Sequence, residues 1–581
     1  MSFEQEEAGV MKRLWIHAGR HKKRFGWGIL MLLLTNLVAQ CMPQLMRLII
    51  DGLETGENVD YLQQLAWLMV GLALAGAVFR TLSRVAIFFS ARDVEMAFRN
   101  EFFEHLTSQD AGFYQKHPTG DLMSRATNDL GQLRLLLGPG LLNVVNTTIG
   151  YSVAIPLMWM ISPKITMVIL TVYPPALLLM RYLGKLLYTR NREQQERMGD
   201  LSAFVQENLA GAHVVRSFGL ETVREEKFSK LNDANYSAAV RLAWVRSGMF
   251  RMVMTLSSLT VLLGVFTGAS LVVEEELSLG DVVAIIEYMA LLTWPTLALG
   301  WVLSIWKRGA AAMSRLNEIL DYEPDIRSGP IKVESLEPSL RVKDLSFSYD
   351  ATSVLEQVDV DLKPGQTLGV VGPIGSGKST FVKSLMRLLD IPPETVFVGG
   401  TDITELTLAS LRRQFGYVSQ ENILFSRSLA ENVAFGRPEA STEDVTNALL
   451  RASLDHRDPS IPNGLETIVG ERGITLSGGQ KQRTAIARAL LLDPPILILD
   501  DSLSSVDSDT EEAILEQIRK LRKDKTTIIV AHRMTAVAHA DEIVVLDDGA
   551  ITERGTHKSL METDGLYAGM VKRQELEAGL Q

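Results

Sequence analysis

Cysteine is almost missing from this sequence. The 581 residues include one, Cys41, so neither an internal disulfide nor a cysteine-ligated metal centre can form. Cys41 lies in an apolar run and is expected as a small buried side chain. A basic surplus is missing as well. Asp and Glu number 69 against 58 Lys and Arg, for a net charge of −11. That balance argues against nucleic acid as a partner, because such binders neutralise phosphates with a basic surface. No cleavable leader is expected, since residues 1–10 are acidic and the first apolar run starts late. Internal repeats and low-complexity segments are not visible either.

Apolar length is what the chain has in quantity. Hydrophobic residues make up 46%. The chain is too long for a single core, so at least two domains are expected. Apolar runs fall at residues 27–50, 61–90, 137–161, 165–187, 249–273 and 282–306. Each reaches the roughly 20 residues that cross about 30 Å of hydrocarbon as a helix. Lipid cannot satisfy open backbone groups, which leaves helices. Six spans are therefore predicted. Lys12, Arg13, Arg20, Lys22, Lys23 and Arg24 precede the first, and Lys307 and Arg308 follow the sixth. Loops 51–60 and 273–281 are acidic, with Asp51, Glu54, Glu57 and Asp60 in one and Glu274, Glu275, Glu276 and Asp281 in the other. The positive-inside rule then puts both ends of this region in the cytoplasm. Connections 91–136 and 188–246 are long, charged and helix-patterned, as membrane helices continuing into the cytoplasm would be. Residues 113–121, from Phe113 to Asp121, break the first stalk. Residues 209–221, with Gly211 and Glu221, break the second. Short crosswise helices and plain hairpin turns both suit these breaks.

The texture changes after Tyr322. Strands predicted at Leu340–Tyr349, Thr367–Val371, 395–398, 415–419, Ile496–Asp500, 526–531 and 542–546 alternate with helical patterns. This reads as an α/β domain with a largely parallel sheet. The chain thus divides into an N-terminal segment 1–25, a helical membrane domain 26–322, a linker 323–337 and an α/β domain 338–575.

The second domain carries the chemistry. Gly372, Pro373, Ile374, Gly375, Ser376, Gly377, Lys378, Ser379 and Thr380 follow a predicted buried strand and open a predicted helix, the context a phosphate-binding loop requires. The glycines let backbone N–H groups close on phosphate oxygens, and the helix adds its positive end. Lys378 is expected on the β- and γ-phosphates of ATP and Ser379 on Mg²⁺. Asp500 closes an apolar strand and would meet Mg²⁺ through water. Asp501 stands where a general base orients the attacking water. Gln420 can reach Mg²⁺ or that water, and His532, just after a strand, the γ-phosphate. Tyr349 either stacks on adenine or is a surface strand tyrosine. Leu476, Ser477, Gly478, Gly479 and Gln480 put a hydroxyl and open backbone at a predicted helix start, suited to a γ-phosphate held by another subunit. Ser504 and Asp507 follow the catalytic strand and would lie along the seam.

Taken in order, these motifs resemble those of the ABC exporters, and the resemblance covers nearly the whole chain. It implies an all-α six-helix transmembrane domain followed by an α/β P-loop ABC nucleotide-binding domain, two such halves forming a pump. It implies that residues 113–121 and 209–221 are coupling helices. Residues 467–473, Glu471 among them, would sit beside these and relay nucleotide state. Residues 120–129 (G-D-L-M-S-R-A-T-N-D) and the run Thr293, Trp294, Pro295 look like the bacterial heterodimeric multidrug exporters, the MdlAB-like group. One residue departs from the family: where Glu is usual, Asp501 stands. Its carboxylate is set back by one methylene, about 1.5 Å, enough to forfeit much of the ~10²–10⁴ that a general base supplies. The chain looks like the impaired half of a heterodimer, whose intact signature, residues 476–480, would complete a partner's site. A homodimer in which Asp suffices stays open.

Polar residues in the spans suggest a pathway. Asn36, Gln40, Gln44 and Arg47 share one helical face, and Asn143, Asn146 and Gly150 make another. Either face lines a translocation cavity or bonds neighbouring helices. Glu287 either binds cationic cargo or sits in the interface region and binds nothing. The resemblance implies ATP-driven export of hydrophobic or amphipathic compounds by a multi-pass protein of the cell membrane, with the lipid bilayer and a second half-transporter as partners. A homodimeric lipid flippase is the alternative.

Overall fold

The structure, a computed structural model, describes residues 3–349, 352–470 and 475–579. Glu471, expected in the relay segment, lies outside the described residues. Two compact units form: Met1–Thr107 with Thr119–Tyr322, and Ser108–Pro118 with Glu323–Gln581.

The first unit is helical. Its elements are α1 (Phe3–Arg20), α2 (Lys22–Thr55), α3 (Val59–Ser108), α5 (Thr119–Ser124), α6 (Leu130–Leu135), α7 (Leu141–Ile161), α8 (Pro163–Ala210), α9 (Ala212–Ser217), α10 (Glu221–Val273) and α11 (Leu279–Leu320); the last residue of α3 and the short α4 (Ala111–Lys116) fall to the second unit. Start signals are local. Ser162 caps α8, with Pro163 in its first turn, and Ser278 and Asp281 form a reciprocal capping box on α11. Two π-helical turns, Arg125–Asp129 and Leu136–Gly140, flank α6.

Five stretches among the described residues are long and apolar enough to cross a membrane: α2, α3, Thr119–Ile161, α10 and α11. The fourth expected run, 165–187, falls in α8, where the stretch Pro163–Val172 is apolar among the described residues. Cys41 corrects an expectation: it is exposed on α2, because the surface of a membrane helix is itself apolar.

Ion pairs tie both ends of this unit. Arg47 Nε on α2 lies 2.7 Å from Asp281 Oδ1 at the start of α11, and Asp51 accepts from the Gly280 N–H at 3.0 Å. At the other end buried Arg125 pairs with Asp121 and Glu318, both at 2.8 Å, and Arg315 Nε donates to Asp129 at 2.9 Å. The stretch 120–129 is thereby bolted to the end of α11.

Among the described residues the second unit holds ten strands: β1 (Leu340–Tyr349), β2 (Thr352–Leu362), β3 (Thr367–Val371), β4 (Val396–Val398), β5 (Thr401–Asp402), β6 (Phe415–Val418), β7 (Ile496–Asp500), β8 (Thr526–Val530), β9 (Glu542–Asp547) and β10 (Ala550–Gly555). A six-stranded sheet runs β10-β9-β3-β8-β7-β6, parallel except for the edge strand β10. The antiparallel sheet β2-β1-β4-β5 lies apart from it in pairing. β7 and β8 are buried at every position, which is why they read as unbroken apolar runs rather than as alternation.

Candidate functional site

Four adjacent parallel strands deliver the sequence motifs to one edge. β3, β8, β7 and β6 lie side by side. Beyond their C-terminal ends come the 372–380 loop, His532, the pair Asp500 and Asp501, and Gln420. Ligands bind at this edge in open α/β sheets.

Glycine shapes the loop at two points. Gly372 has φ +151°, and a Cβ there would lie 2.0 Å from the Leu546 carbonyl oxygen; Gly377 has φ +96°, with Val354 O at 2.7 Å. Lys378 opens α12 (Lys378–Leu385) and is buried. Its Nζ donates to the carbonyls of Gly372 at 2.9 Å and Pro373 at 2.7 Å. Burial pushes its pKa down, against the pull of Asp501 and Asp500. An ammonium buried against neutral carbonyls is under-compensated, and a polyphosphate supplies the counter-charge. Ile374, at the loop tip, is exposed.

Ser379 Oγ lies 3.3 Å from Asp500 Oδ1, and the Tyr417 hydroxyl donates to Asp500 Oδ2 at 3.1 Å. Burial raises the Asp500 pKa, with both hydroxyls acting against it. Burial and the neighbouring Asp500 push the Tyr417 phenol far up, so it stays a neutral donor. Sequence reasoning took Tyr417 only as part of a strand; a hydroxyl reaching across to the next strand leaves no local signal. The donors here are all oxygen, which suits Mg²⁺. No group of three His, Cys, Asp or Glu among the described residues could hold a metal alone, so an ion would draw its other ligands from nucleotide and water.

Asp501 has φ +48°, and its N–H donates to Val530 O at 2.9 Å. Asp is among the few side chains at home in that left-handed region. Its Oδ2 lies 3.4 Å from Gln420 Nε2. His532, half-buried, follows β8. Ser504 Oγ donates to Asp501 O at 3.1 Å, and Asp507 caps the helix Ser508–Leu521. Tyr349 is partly exposed at the end of β1, its ring edge-on to Phe347 at 4.9 Å.

The signature residues stand elsewhere in their bonding. Ser477 caps the helix Gly478–Leu492 in a reciprocal box with Gln480. Gln480 also donates to Ser460 Oγ at 2.7 Å, and Leu476 is buried. Ser477 and Gly478 are exposed, so the positive end of a 15-residue helix faces outward.

The stalk breaks became short helices, as one of the two readings had it. In α4, Asp110 accepts from the Phe113 N–H at 2.9 Å and from the Asp325 N–H at 3.0 Å, and Phe113 is fully buried. α9 buries none of its residues. Gly211 caps it, and Glu221 opens α10.

The helical unit contains a cavity of about 710 Å³. Asn36 and Gln40 line it from α2, Asn143 and Asn146 from α7, Arg80 and Arg84 from α3, and Trp294 and Trp301 from α11. Gln44 and Arg47, expected on the same face, do not line it; Arg47 is held by Asp281 nearer the helix end. Asn36 and Asn143 donate to carbonyls of their own helices, Leu32 O and Pro139 O, rather than across to others. Glu287 borders a second cavity of about 530 Å³, which Arg80 also touches.

Comparison with known proteins agrees with this layout. Residues 25–296 match the model of the ABC transporter transmembrane region, and residues 355–504 that of the ABC transporter. The chain is 35% identical to a probable multidrug resistance ABC transporter ATP-binding/permease protein, YheI, of Bacillus subtilis, over 98% of each. It is 34% identical to the multidrug resistance-like ATP-binding protein MdlA of Escherichia coli, over 97% of this chain and 96% of that one. An ATP-dependent lipid A-core flippase of Vibrio vulnificus is 30% identical over 99% of both. A solved bacterial Atm1-family ABC exporter with ATP bound superposes with a TM-score of 0.79 at 27% identity, covering 95% of this chain and 99% of that one.

Proposed function

The chain belongs to the ABC exporters, whose membrane domain and ATPase domain together drive amphipathic compounds through a bilayer, and we propose that it is the half of a two-chain pump whose own nucleotide site turns over slowly. One observation carries the pairing. The strand-end site assembles within the chain, whereas the signature helix presents its N-terminus, with Ser477 and Gly478, to the outside. An exposed helix end of that kind suits a phosphate held by another chain.

Within this chain, the loop 372–377 and Lys378 hold the phosphates, and Tyr349 flanks the base. Ser379 and, through water, Asp500 would hold Mg²⁺, which would supply positive charge against the phosphates. Gln420 and His532 orient the attacking water, and Asp501 accepts its proton. The set-back Asp501 carboxylate makes that last role weak. Closure of two ATPase domains on ATP is passed through α4 and α9 to the membrane helices, which change the side to which the cavity opens. The sixth span is the α8 run, and the ATPase domain lies in the cytoplasm beneath the bacterial inner membrane. Arg80 and Arg84 favour cargo with an anionic headgroup in the 710 Å³ cavity; better transport of a cationic probe with the same tail would count against that.

The deciding experiment takes the chain alone in bilayers and measures ATP turnover with and without Asp501→Glu. Slow hydrolysis that the substitution accelerates supports the two-chain reading, and fast hydrolysis by the unmutated homodimer overturns it. A homodimeric lipid flippase, suggested by the flippase relatives, predicts a native complex with the mass of two copies of this chain.

A further inference from the structure

We propose that Gln574, on the C-terminal helix Leu566–Gly579, is a positioning residue that aims His532 at the nucleotide; this rests on the ATP site assigned above. The loop between β8 and the helix Met534–Val537 is three residues long. Gln574 grips it with both ends of one amide. Its Nε2 donates to the His532 carbonyl, and its Oε1 accepts from the Met534 N–H at 2.9 Å. A carbonyl and an N–H two residues apart are thus fixed by a single side chain. That leaves the His532 backbone little rotational freedom, and with it the direction of the imidazole.

The gripping helix is itself held. Tyr567 is fully buried, its hydroxyl is 2.8 Å from His557 Nδ1, and its N–H donates to Glu553 at 3.0 Å. The loop is anchored on its other flank too. Arg533 donates to Val506 O at 2.9 Å and Ser504 O at 3.3 Å, and pairs with buried Glu511 at 2.8 Å. His532 therefore sits between a clamp on the seam residues and a clamp on the C-terminal helix. No shorter or purely acceptor side chain at 574 reproduces the grip. Asn falls about 1.5 Å short, Glu lacks the N–H donor, and Leu keeps the shape but loses both bonds.

The test uses the full chain in bilayers, carrying Asp501→Glu so that the site served by His532 hydrolyses. Gln574→Leu is expected to lower kcat roughly tenfold while KM for ATP stays within about twofold. His532→Ala is expected to lower kcat further, and the double variant to match His532→Ala alone, because the glutamine acts through the histidine. Unchanged kcat, or a loss that multiplies with that of His532→Ala, overturns the proposal. Amide exchange gives a readout that needs no turnover. ATP should slow exchange across residues 532–534 in the unmutated chain, and Gln574→Leu should abolish that protection without weakening ATP binding. Retained protection overturns the brace. Absent turnover in every variant instead speaks against the pump reading, so the two failures are distinguishable.

Discussion

Two short helices interrupt the long stalks, and they meet opposite fates. α4 joins the ATPase unit of its own chain, with Phe113 at 0% exposure and Asp110 capping both its own helix and the Asp325 N–H. α9 buries nothing, and the segment around it is apolar and exposed: Val214 within the helix and Leu209, Phe218 (74% exposure) and Leu220 on its flanks. The same contrast recurs in the ATPase unit. The phosphate loop, Asp500 and Gln420 find partners among themselves, while the Ser477-led helix points outward. The chain finishes the strand-end cluster and leaves open the surfaces that the proposed pairing assigns to a second chain. Clustered exposed apolar side chains of this kind mark an interaction surface.

That contrast can be attacked from both sides. The largest effect is expected on the finished side: Phe113→Ala should cost about 3–5 kcal/mol, read as lowered thermal stability of the ATPase unit. On the open side, Ser477→Arg should reduce turnover of the two-chain complex about a hundredfold, roughly 2.7 kcal/mol, while leaving ATP affinity at this chain's own loop intact. Asp501→Glu should raise turnover of the chain alone about tenfold, roughly 1.4 kcal/mol. It should also lower thermal stability slightly, because Glu is less at home at φ +48°. Asp500→Asn should abolish hydrolysis yet raise the nucleotide-free melting temperature by an amount equivalent to about 1 kcal/mol. The sign follows from the raised Asp500 pKa. Stability from such a group is complete below the ordinary carboxylate range and is lost as pH rises through the folded-state value. The gain from Asn should thus be present at neutral pH and vanish in acid. The smallest effect sharpens the contrast most. Phe218→Ser should change stability by less than about 0.5 kcal/mol and still uncouple transport from ATP use.

Much of this was legible in the sequence because the signals are short-range. Strands Thr367–Val371 and Ile496–Asp500 were bounded to the residue, since a buried strand ending in a glycine loop or a carboxylate has sharp edges. The parallel sheet then brought the motifs to one edge. β2 and β10 were missed because their polar, half-exposed patterns resemble loops. Helical period put Asn36, Gln40 and Arg47 on one face but could not show that the first two line a cavity while Arg47 is taken up by Asp281 some 230 residues later. Nor could it reveal that α4 would leave the helical unit. Contacts of that sequence separation have no local imprint.

The two wide turns around α6 have a consequence for how this stretch can move. A π turn holds one residue more than an α turn, so smoothing either one out would swivel everything beyond it by about 100°. Asn143 and Asn146 follow directly after the second wide turn. A small adjustment of winding there would swing both amides off the cavity wall and bring different side chains to face whatever is inside, with an axial shift of only about 1.5 Å.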